Sequence, residues 1–458
     1  MGSSDSAVKH QASRNVNTGQ SGILDKSDPI LRDATIELSD RLTMVALWLL
    51  LVGAVIFEIQ GQSSLISLGF YTFHVIDPAP VVALAAIVTN LAARRPDWPV
   101  YTLPIVLILG LTIVDLLRGL AIQPDLAAQW ARANIAIGLF LMLAVTMRPI
   151  PAVMRAMRLA LLVAATTLSV LAVLRLAIRL DLFLTVEGPN LMVIYDHRPL
   201  TGQGAFLITF AGLLLFSEAL HRRRFVFDAR MLGAILFVAV VLISRQGTAS
   251  IALLAGLATI FYLQRDSTHQ LRIGFGIALL LIVAALLLVF LPSLLDTQNF
   301  ASRAGNLDMR RQIWSSLMAL WPYEPALVRY FGFPAGQQPV LTVFVDGIYQ
   351  TWPYSMHSMY YGSLSTMGYL GAAAYIALLA MLGFRLLIAT LKGTMPAFAL
   401  GCWVATIVFS YSYEIRMSEL LGLFAAIWWL RATASPQHAS HHAHPGSEPR
   451  YPSDMAAR

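Results

Sequence analysis

One histidine and four arginines stand out in a chain in which only 12% of the 458 residues are charged. His357 stands where a polar, aromatic stretch meets an apolar one. An imidazole, with its ordinary pKa of about 6.5, suits proton transfer at neutral pH. Arg198, Arg245, Arg310 and Arg311 lie at the edges of other apolar or amphipathic stretches. Because a guanidinium group pairs with phosphate through two parallel hydrogen bonds, these residues together predict a phosphate-binding site beside a general base.

Each of these residues also has a structural explanation. An arginine at the end of a membrane span, such as Arg198, can extend to the lipid headgroups. Arg310 and Arg311 suit the solvated face of a helix, and a single histidine at a membrane edge is more often structural than chemical. Arg245 is harder to explain in this way, because a charge in a turn between apolar segments is costly unless it meets an anion or a wet cavity. No carboxylate cluster accompanies the arginines on the predicted outer face, so no metal site is expected.

The composition places these residues in a membrane protein. Hydrophobic residues make up 57% of the chain, and the mean hydropathy is +0.67. This is more apolar surface than one soluble core could hide. A helix needs roughly 20 mainly apolar residues to cross a bilayer and satisfies its own backbone polar groups there, so we predict an all-α polytopic bundle of about 12 spans. The predicted segments are residues 42–58, 75–93, 101–120, 131–147, 157–180, 201–220, 231–243, 247–264, 272–292, 362–391, 396–410 and 418–430.

The distribution of basic residues predicts the orientation of the bundle. Arginines and Lys392 cluster in alternate loops, which the positive-inside rule assigns to the cytoplasm together with both termini. The net charge of +7 therefore reports membrane topology. Because the basic residues are dispersed over separate loops, no nucleic acid partner is expected. The lone Cys402 lies in an apolar segment and carries no information about the redox compartment.

The chain divides into a membrane domain, 42–431, and two polar tails, 1–41 and 432–458, which we expect to be disordered and cytoplasmic. Metal binding by the histidines of the second tail stays open. Residues 293–361 form one long loop between the ninth and tenth segments, on the predicted outer face, and a long loop in a compact protein is usually functional. Within it, 306–321 reads as an amphipathic helix that could lie on the membrane surface. Its predicted apolar face consists of Leu307, Ile313, Trp314, Leu317, Met318 and Trp321.

Four short motifs in this order resemble the O-antigen ligase and O-antigen polymerase superfamily of bacterial membrane glycosyltransferases. Arg198 followed by Gly202 precedes the sixth segment, and Ser244-Arg245-Gln246-Gly247 occupies a predicted outer turn. Arg310-Arg311-Gln312-Ile313-Trp314 lies early in the long loop. The run His357-Ser358, Tyr361, Leu364, Gly368 and Gly371 matches a family pattern at the start of the next helix, except that Ser358 replaces the usual Asn and Tyr361 the usual Leu. The three- and four-residue spacings of this run place its members on one face of a helix, with glycines that allow close packing.

The resemblance implies a fold and a reaction. The fold would be a GT-C-like helical bundle in the bacterial inner membrane, with its active site on the periplasmic side. The enzyme would transfer a glycan, with inversion and without a metal or other cofactor, from an undecaprenyl-pyrophosphate-linked donor. Arg198 and Arg245 would hold the pyrophosphate, Arg310 or Arg311 would position the donor or the loop, and His357 would take the proton from the acceptor hydroxyl. Other polysaccharide assembly proteins would be further partners.

The acceptor is left open by the sequence. A growing chain on another lipid carrier would make the protein an exopolysaccharide or O-antigen polymerase, which we favour. Lipid A core would make it an O-antigen ligase, and a protein acceptor an O-oligosaccharyltransferase. A transporter of lipid-linked saccharides is the alternative of another class, with Glu58 and Asp115 as its intramembrane candidates, although the internal repeats typical of such proteins are not evident.

Overall fold

The computed structural model gives a bundle made almost entirely of helices. It describes residues 29–60, 64–67, 72–93, 98–147, 149–178, 199–220, 228–244, 246–263, 297–345, 348–353, 356–413 and 417–434. The helices are α1 (Pro29–Gln60), α2 (Pro78–Ala93), α3 (Thr102–Ile122), α4 (Pro124–Thr146), α5 (Pro151–Ile178), α6 (Gly202–Leu220), α7 (Ala229–Ile243), α8 (Gly247–Leu263), α9 (Thr297–Leu320), α10 (Ala326–Phe331), α11 (Met359–Leu391), α12 (Ala397–Ser412) and α13 (Met417–Ala434). A 3₁₀ turn, Trp321–Tyr323, follows α9.

Every predicted apolar segment within the described residues coincides with a helix. Within the part of the chain that the structure describes, six helices are long and apolar enough to cross a membrane, and five further apolar helices are shorter. The ninth predicted segment, 272–292, lies outside the described residues, so the number of spans stays a prediction. α1 begins at Pro29 and α13 ends at Ala434, so part of each segment assigned to a tail is helical.

The helices begin where the local sequence favours a first turn. α2, α4 and α5 each start at a proline, which fits the first helical position because a proline has no N–H to leave unpaired. Asp228 caps α7 by accepting hydrogen bonds from the N–H groups of Arg230 and Met231, at 3.1 and 3.0 Å. These helix-starting residues divide one nearly continuous apolar sequence into separate helices.

α6 is the central helix of the bundle. Its apolar stretch is 83% buried inside the protein, whereas the other five candidate spans are 33–50% buried. Their outward faces carry large apolar side chains such as Leu103 of α3 and Val170 of α5, which are 75% and 54% exposed. An apolar outer surface of this extent is unfavourable in water and is the surface expected of a protein surrounded by lipid.

The mostly helical architecture fits the all-α prediction, and the described residues also include two short antiparallel hairpins that were not predicted. β1 (Ser64–Ser67) pairs with β2 (Thr72–His74) between α1 and α2. β3 (Val340–Val345) pairs with β4 (Ile348–Pro353) inside the predicted long loop. Along β3, Leu341 and Val343 are buried while Val340, Thr342 and Phe344 are exposed. This alternation with a period of two residues is what a half-buried strand requires.

The loop helix α9 packs inside the protein rather than on a membrane surface. Its buried side chains Ile313, Trp314, Leu317 and Trp321 form a cluster with the buried face of β3 and with Leu364 of α11. The predicted apolar face is therefore largely correct, but Met318 is 48% exposed and the Leu307 side chain lies outside the described residues. Trp314 and Trp321 are buried, so protein and not a membrane surface covers the apolar face of this helix.

α11 is broken near its start at Gly368, where φ is 64° and ψ is −164°. Gly332, after α10, approaches the same place, and a Cβ on it would lie 2.2 Å from the carbonyl carbon of Thr366. The N–H of Phe333 donates to the carbonyl of Ser365 at 2.7 Å. The prediction of one helical face running from His357 through Gly368 and Gly371 is therefore wrong, because the helix is kinked at Gly368. Residues 330–333 of the long loop, which we call the loop strap, pack against this kink.

Candidate functional site

His357 stands immediately before α11 in a strained backbone conformation. Its φ is 48°, the only positive φ among the described residues other than glycine, and its side chain is exposed. The backbone is held on both sides: Trp314 Nε1 donates to the Met356 carbonyl at 2.7 Å, and the Met359 N–H donates to the Tyr413 carbonyl at 3.0 Å. A left-handed conformation costs an ordinary residue roughly 1–2 kcal/mol, and such strain concentrates at functional sites.

The loop motif and the α11 motif meet in an aromatic stack. The rings of Trp314 and Tyr361 lie 5.0 Å apart and nearly parallel, and Tyr411 meets Trp314 edge-on at 5.2 Å. Leu364 belongs to the same buried cluster. Tyr361, one of the two departures from the family pattern, therefore has a local reason, since it provides a flat surface for Trp314.

Ser358, the other departure, is the N-cap residue of α11. Its carbonyl accepts from the Gly362 N–H at 2.7 Å, but its side chain makes no capping hydrogen bond. The hydroxyl is fully buried and has no hydrogen-bond partner among the described residues. A buried polar atom in this state is unusual, and this one lies directly beside His357 in the chain.

The structure separates the two loop arginines. Arg310 Nη1 donates to the Ser412 carbonyl at 2.8 Å, and its guanidinium lies 5.4 Å from the centre of the Tyr413 ring. Arg311 points elsewhere, with a 3.6 Å contact to Asp308, and both of these side chains are 65% exposed. Of the pair, Arg310 therefore belongs to the site that includes the start of α11, and Arg311 has the solvated position of an ordinary helix surface.

Tyr413 connects the remaining motifs to this place. Its hydroxyl donates to Gln246 Oε1 at 3.4 Å, and Gln246 Nε2 donates to the Leu200 carbonyl at 2.7 Å. Gly202, at the start of α6, lies against the tyrosine so closely that a Cβ there would be 2.7 Å from Cζ of the ring. One network of hydrogen bonds and contacts thus joins the starts of α6, α8 and α11 to the end of α12. We call this end of the bundle the site end.

Arg198 and Arg245 themselves lie outside the described residues. Their chain neighbours Pro199, Leu200, Ser244 and Gln246 are all buried, and two of them belong to the Tyr413 network. The structure therefore brings together the four segments that carry the motifs, while the positions of these two guanidinium groups stay a prediction.

Several residues at the site end were not predicted from the sequence. Gln246 is a motif residue whose role is to hold two neighbouring segments, and only its place beside Arg245 could have indicated this. The sequence around Tyr413 does not indicate a role at a functional site, because the residue stands in a short polar connection between two apolar segments. Glu58, considered only for transport, is buried near the end of α1 and contacts the segment before α6.

A lateral groove opens beside the network, with a volume of about 460 Å³. It lies between the start of α8, the start of α11 and the end of α12, and it reaches Ser412, whose carbonyl Arg310 binds. Its apolar lining includes Ile251, Ile407 and Val408. Elsewhere in the part of the chain that the structure describes, no three His, Cys, Asp or Glu side chains come together as a metal site would require.

The helical bundle and its apolar outer surface fit the class of multi-pass membrane proteins. No family model matches the chain, and no curated protein is similar enough to match it.

Proposed function

We propose that the protein is a membrane glycosyltransferase that uses a polyprenyl-pyrophosphate-linked glycan as donor and works on the periplasmic side of a bacterial inner membrane. The observation that carries this proposal is the convergence at the site end. Four motifs that are far apart in the sequence are joined there through the Tyr413 network, with the strained His357 at its edge. Chance similarity of short motifs would not by itself bring their segments into contact.

In the proposed reaction, a hydroxyl oxygen of the acceptor attacks the anomeric carbon of the donor glycan. The bond from that carbon to the pyrophosphate oxygen breaks, and the hydroxyl proton moves to the His357 imidazole. The pyrophosphate leaves on its lipid and takes the bonding electron pair. Because this leaving group is already good, one base and fixed positive charge suffice, and Arg198, Arg245 and Arg310 supply that charge.

The lateral groove supports a lipid-linked donor. A polyprenyl chain is apolar and remains in the bilayer, so its pyrophosphate must reach the site from the side. The groove has an apolar lining and extends to Ser412, next to the Arg310 guanidinium. This arrangement lets an isoprenoid chain lie between α8 and α12 while its headgroup enters the site.

The test is a deletion of the gene in its own bacterium, complemented with the wild-type gene or with the variants His357→Ala, Arg198→Ala or Arg245→Ala, followed by size separation of the surface glycans. We expect the deletion to remove long glycan and none of the three variants to restore it. Short units that remain on lipid would identify a polymerase, whereas long polymer that is not attached to lipid A would identify a ligase. Normal long glycan from all three variants would rule out this enzyme, and repeat units retained on the cytoplasmic face would indicate a transporter instead.

The two loop arginines provide a matched pair for a second test. Arg310→Ala should lower the rate of polymer formation by about 10-fold or more, because it removes a charge close to the proposed headgroup position. Arg311→Ala should change the rate by less than about twofold, since its exposed contact with Asp308 contributes little. Initial rates at equal amounts of folded protein measure both effects. Equal losses in the two variants would contradict the assignment of Arg310 alone to the site.

A further inference from the structure

A buried ion pair lies beside the site end, outside the Tyr413 network. Glu58, near the end of α1, and Arg175, near the end of α5, approach to 3.3 Å, and their side chains are only 1% and 7% exposed. Arg175 also donates to the Glu58 carbonyl at 2.7 Å and to the Pro199 carbonyl at 2.9 Å. The pair therefore ties the ends of two helices to the segment that leads into α6.

The Glu58 carboxylate is fully engaged with that segment. It accepts from the Thr201 N–H at 2.8 Å and from the Thr201 hydroxyl at 2.5 Å. The same hydroxyl accepts from the Gly204 N–H at 3.1 Å, and a Cβ on Gly204 would lie 2.7 Å from Glu58 Oε2. The carboxylate thus stands at the N-terminus of α6, where the helix dipole favours a negative charge, and only glycine lets the helix come this close.

Stability alone is a poor reason for such a pair. Removing two charges from water is costly, and apolar residues of similar volume often replace a buried ion pair without loss of stability. The pair instead provides orientation, because it fixes three consecutive backbone positions, Pro199 to Thr201, in one place. Leu200, in the middle, offers its carbonyl to Gln246, and Gln246 in turn receives the Tyr413 hydroxyl.

We propose that Glu58 and Arg175 are positioning residues for the glycosyl transfer, acting through the segment 199–201 and Gln246 on Tyr413 and on the Arg310 guanidinium that lies beside its ring. This inference rests on the proposed function. Neither Glu58 nor Arg175 contacts the substrate in the proposed reaction. Their effect is to hold the donor-binding groups in the geometry that the reaction requires, and displacements of about 1 Å in such groups can lower rates by as much as about 100-fold.

The decisive variant is the double substitution Glu58→Leu with Arg175→Met, which removes both charges and leaves neither partner alone. The assay uses protein reconstituted in liposomes and the lipid-linked glycan that accumulates in the deletion strain. We expect an unfolding midpoint close to that of the wild type, a kcat lowered about 10-fold or more and a KM within about threefold. A double variant that is stable and has the wild-type kcat overturns the proposal.

A second pair of variants covers the case in which the double variant does not fold. Thr201→Val keeps the shape of the side chain but loses the hydroxyl that donates to Glu58, whereas Thr201→Ser keeps it. We expect Thr201→Val to lower kcat and Thr201→Ser to restore most of it, and equal kcat values in these two variants overturn the proposal. The wild-type protein separates the two hypotheses: no product from the wild type contradicts the proposed function itself, while product from the wild type and from all variants contradicts only the positioning role.

Discussion

Substitution of His357 by asparagine should lower the rate of polymer formation by a factor on the order of 10² to 10⁴, the usual contribution of a positioned general base. Asparagine is chosen because it tolerates positive φ better than most residues, so the backbone at φ 48° can stay in place while the imidazole is lost. The measurement is the initial rate of chain extension from the lipid-linked donor, with equal amounts of folded protein in each assay.

A glycine at position 357 distinguishes the effect of losing the imidazole from the effect of the strained backbone conformation. Because glycine adopts a left-handed conformation without a steric cost, His357→Gly should unfold at the same temperature as the wild type or a higher one, and yet be as inactive as the asparagine variant. Retention of the wild-type rate by either variant would show that His357 is not the base.

His74 provides a control at a second histidine of the described residues. It lies in β2, where burial and then the charge of Arg132 lower its pKa, against an opposing effect of Asp77. Its hydrogen bond to Asp77 is made by the backbone N–H, at 2.8 Å, and asparagine retains that group. His74→Asn should therefore leave the rate of polymer formation within about twofold of wild type. A loss comparable to that of His357→Asn would point to a general effect of replacing histidine.

The helices could be predicted from the sequence because their signal is local. A run of apolar residues is enough to locate α7 within two residues of its start, whereas α4 begins at Pro124, seven residues before the predicted segment 131–147, because its first turns are polar. The buried face of α9 was predicted in the same way, from Ile313, Trp314, Leu317 and Trp321. Its location was wrong because a pattern of apolar residues says that a face is covered, but not whether lipid or protein covers it.

The candidate site was only partly predictable because it depends on contacts between distant segments. Nothing in the chemistry of two adjacent arginines distinguishes Arg310 from Arg311, and the difference appears only when Ser412 and Tyr413 are brought beside one of them. The role of Tyr361 is similar, since its value depends on Trp314 lying across from it. The alternation along β3 is likewise not visible in the sequence, because Thr342 is the one polar residue of Val340–Val345, and its two sides differ only once α9 covers one of them.

Substitution of Gly368 by alanine should be among the most destabilising single changes in the protein. Its φ of 64° with a ψ of −164° is a combination that only glycine adopts readily. A Cβ there would also lie 2.3 Å from the carbonyl carbon of Tyr330, and a backbone atom cannot move aside as a flexible side chain can. We expect a loss of more than about 4 kcal/mol, beyond the range of most single substitutions. The thermal unfolding midpoint in detergent measures this effect.

Gly393→Ala is the matched control for the kink. Gly393 also has a positive φ, 73°, but no atom lies within 4 Å of the position that a Cβ would take. Its substitution should therefore cost only the conformational term, roughly 1–2 kcal/mol. The difference between the two variants contains the contact between the loop strap and the kink, together with the additional backbone cost of the ψ of −164° at Gly368. A difference close to zero would show that the loop strap is not packed against α11 at Gly368. If it is large, and Gly332→Ala has a similar effect from the other side of the contact, the loop is locked to α11 within a few turns of His357.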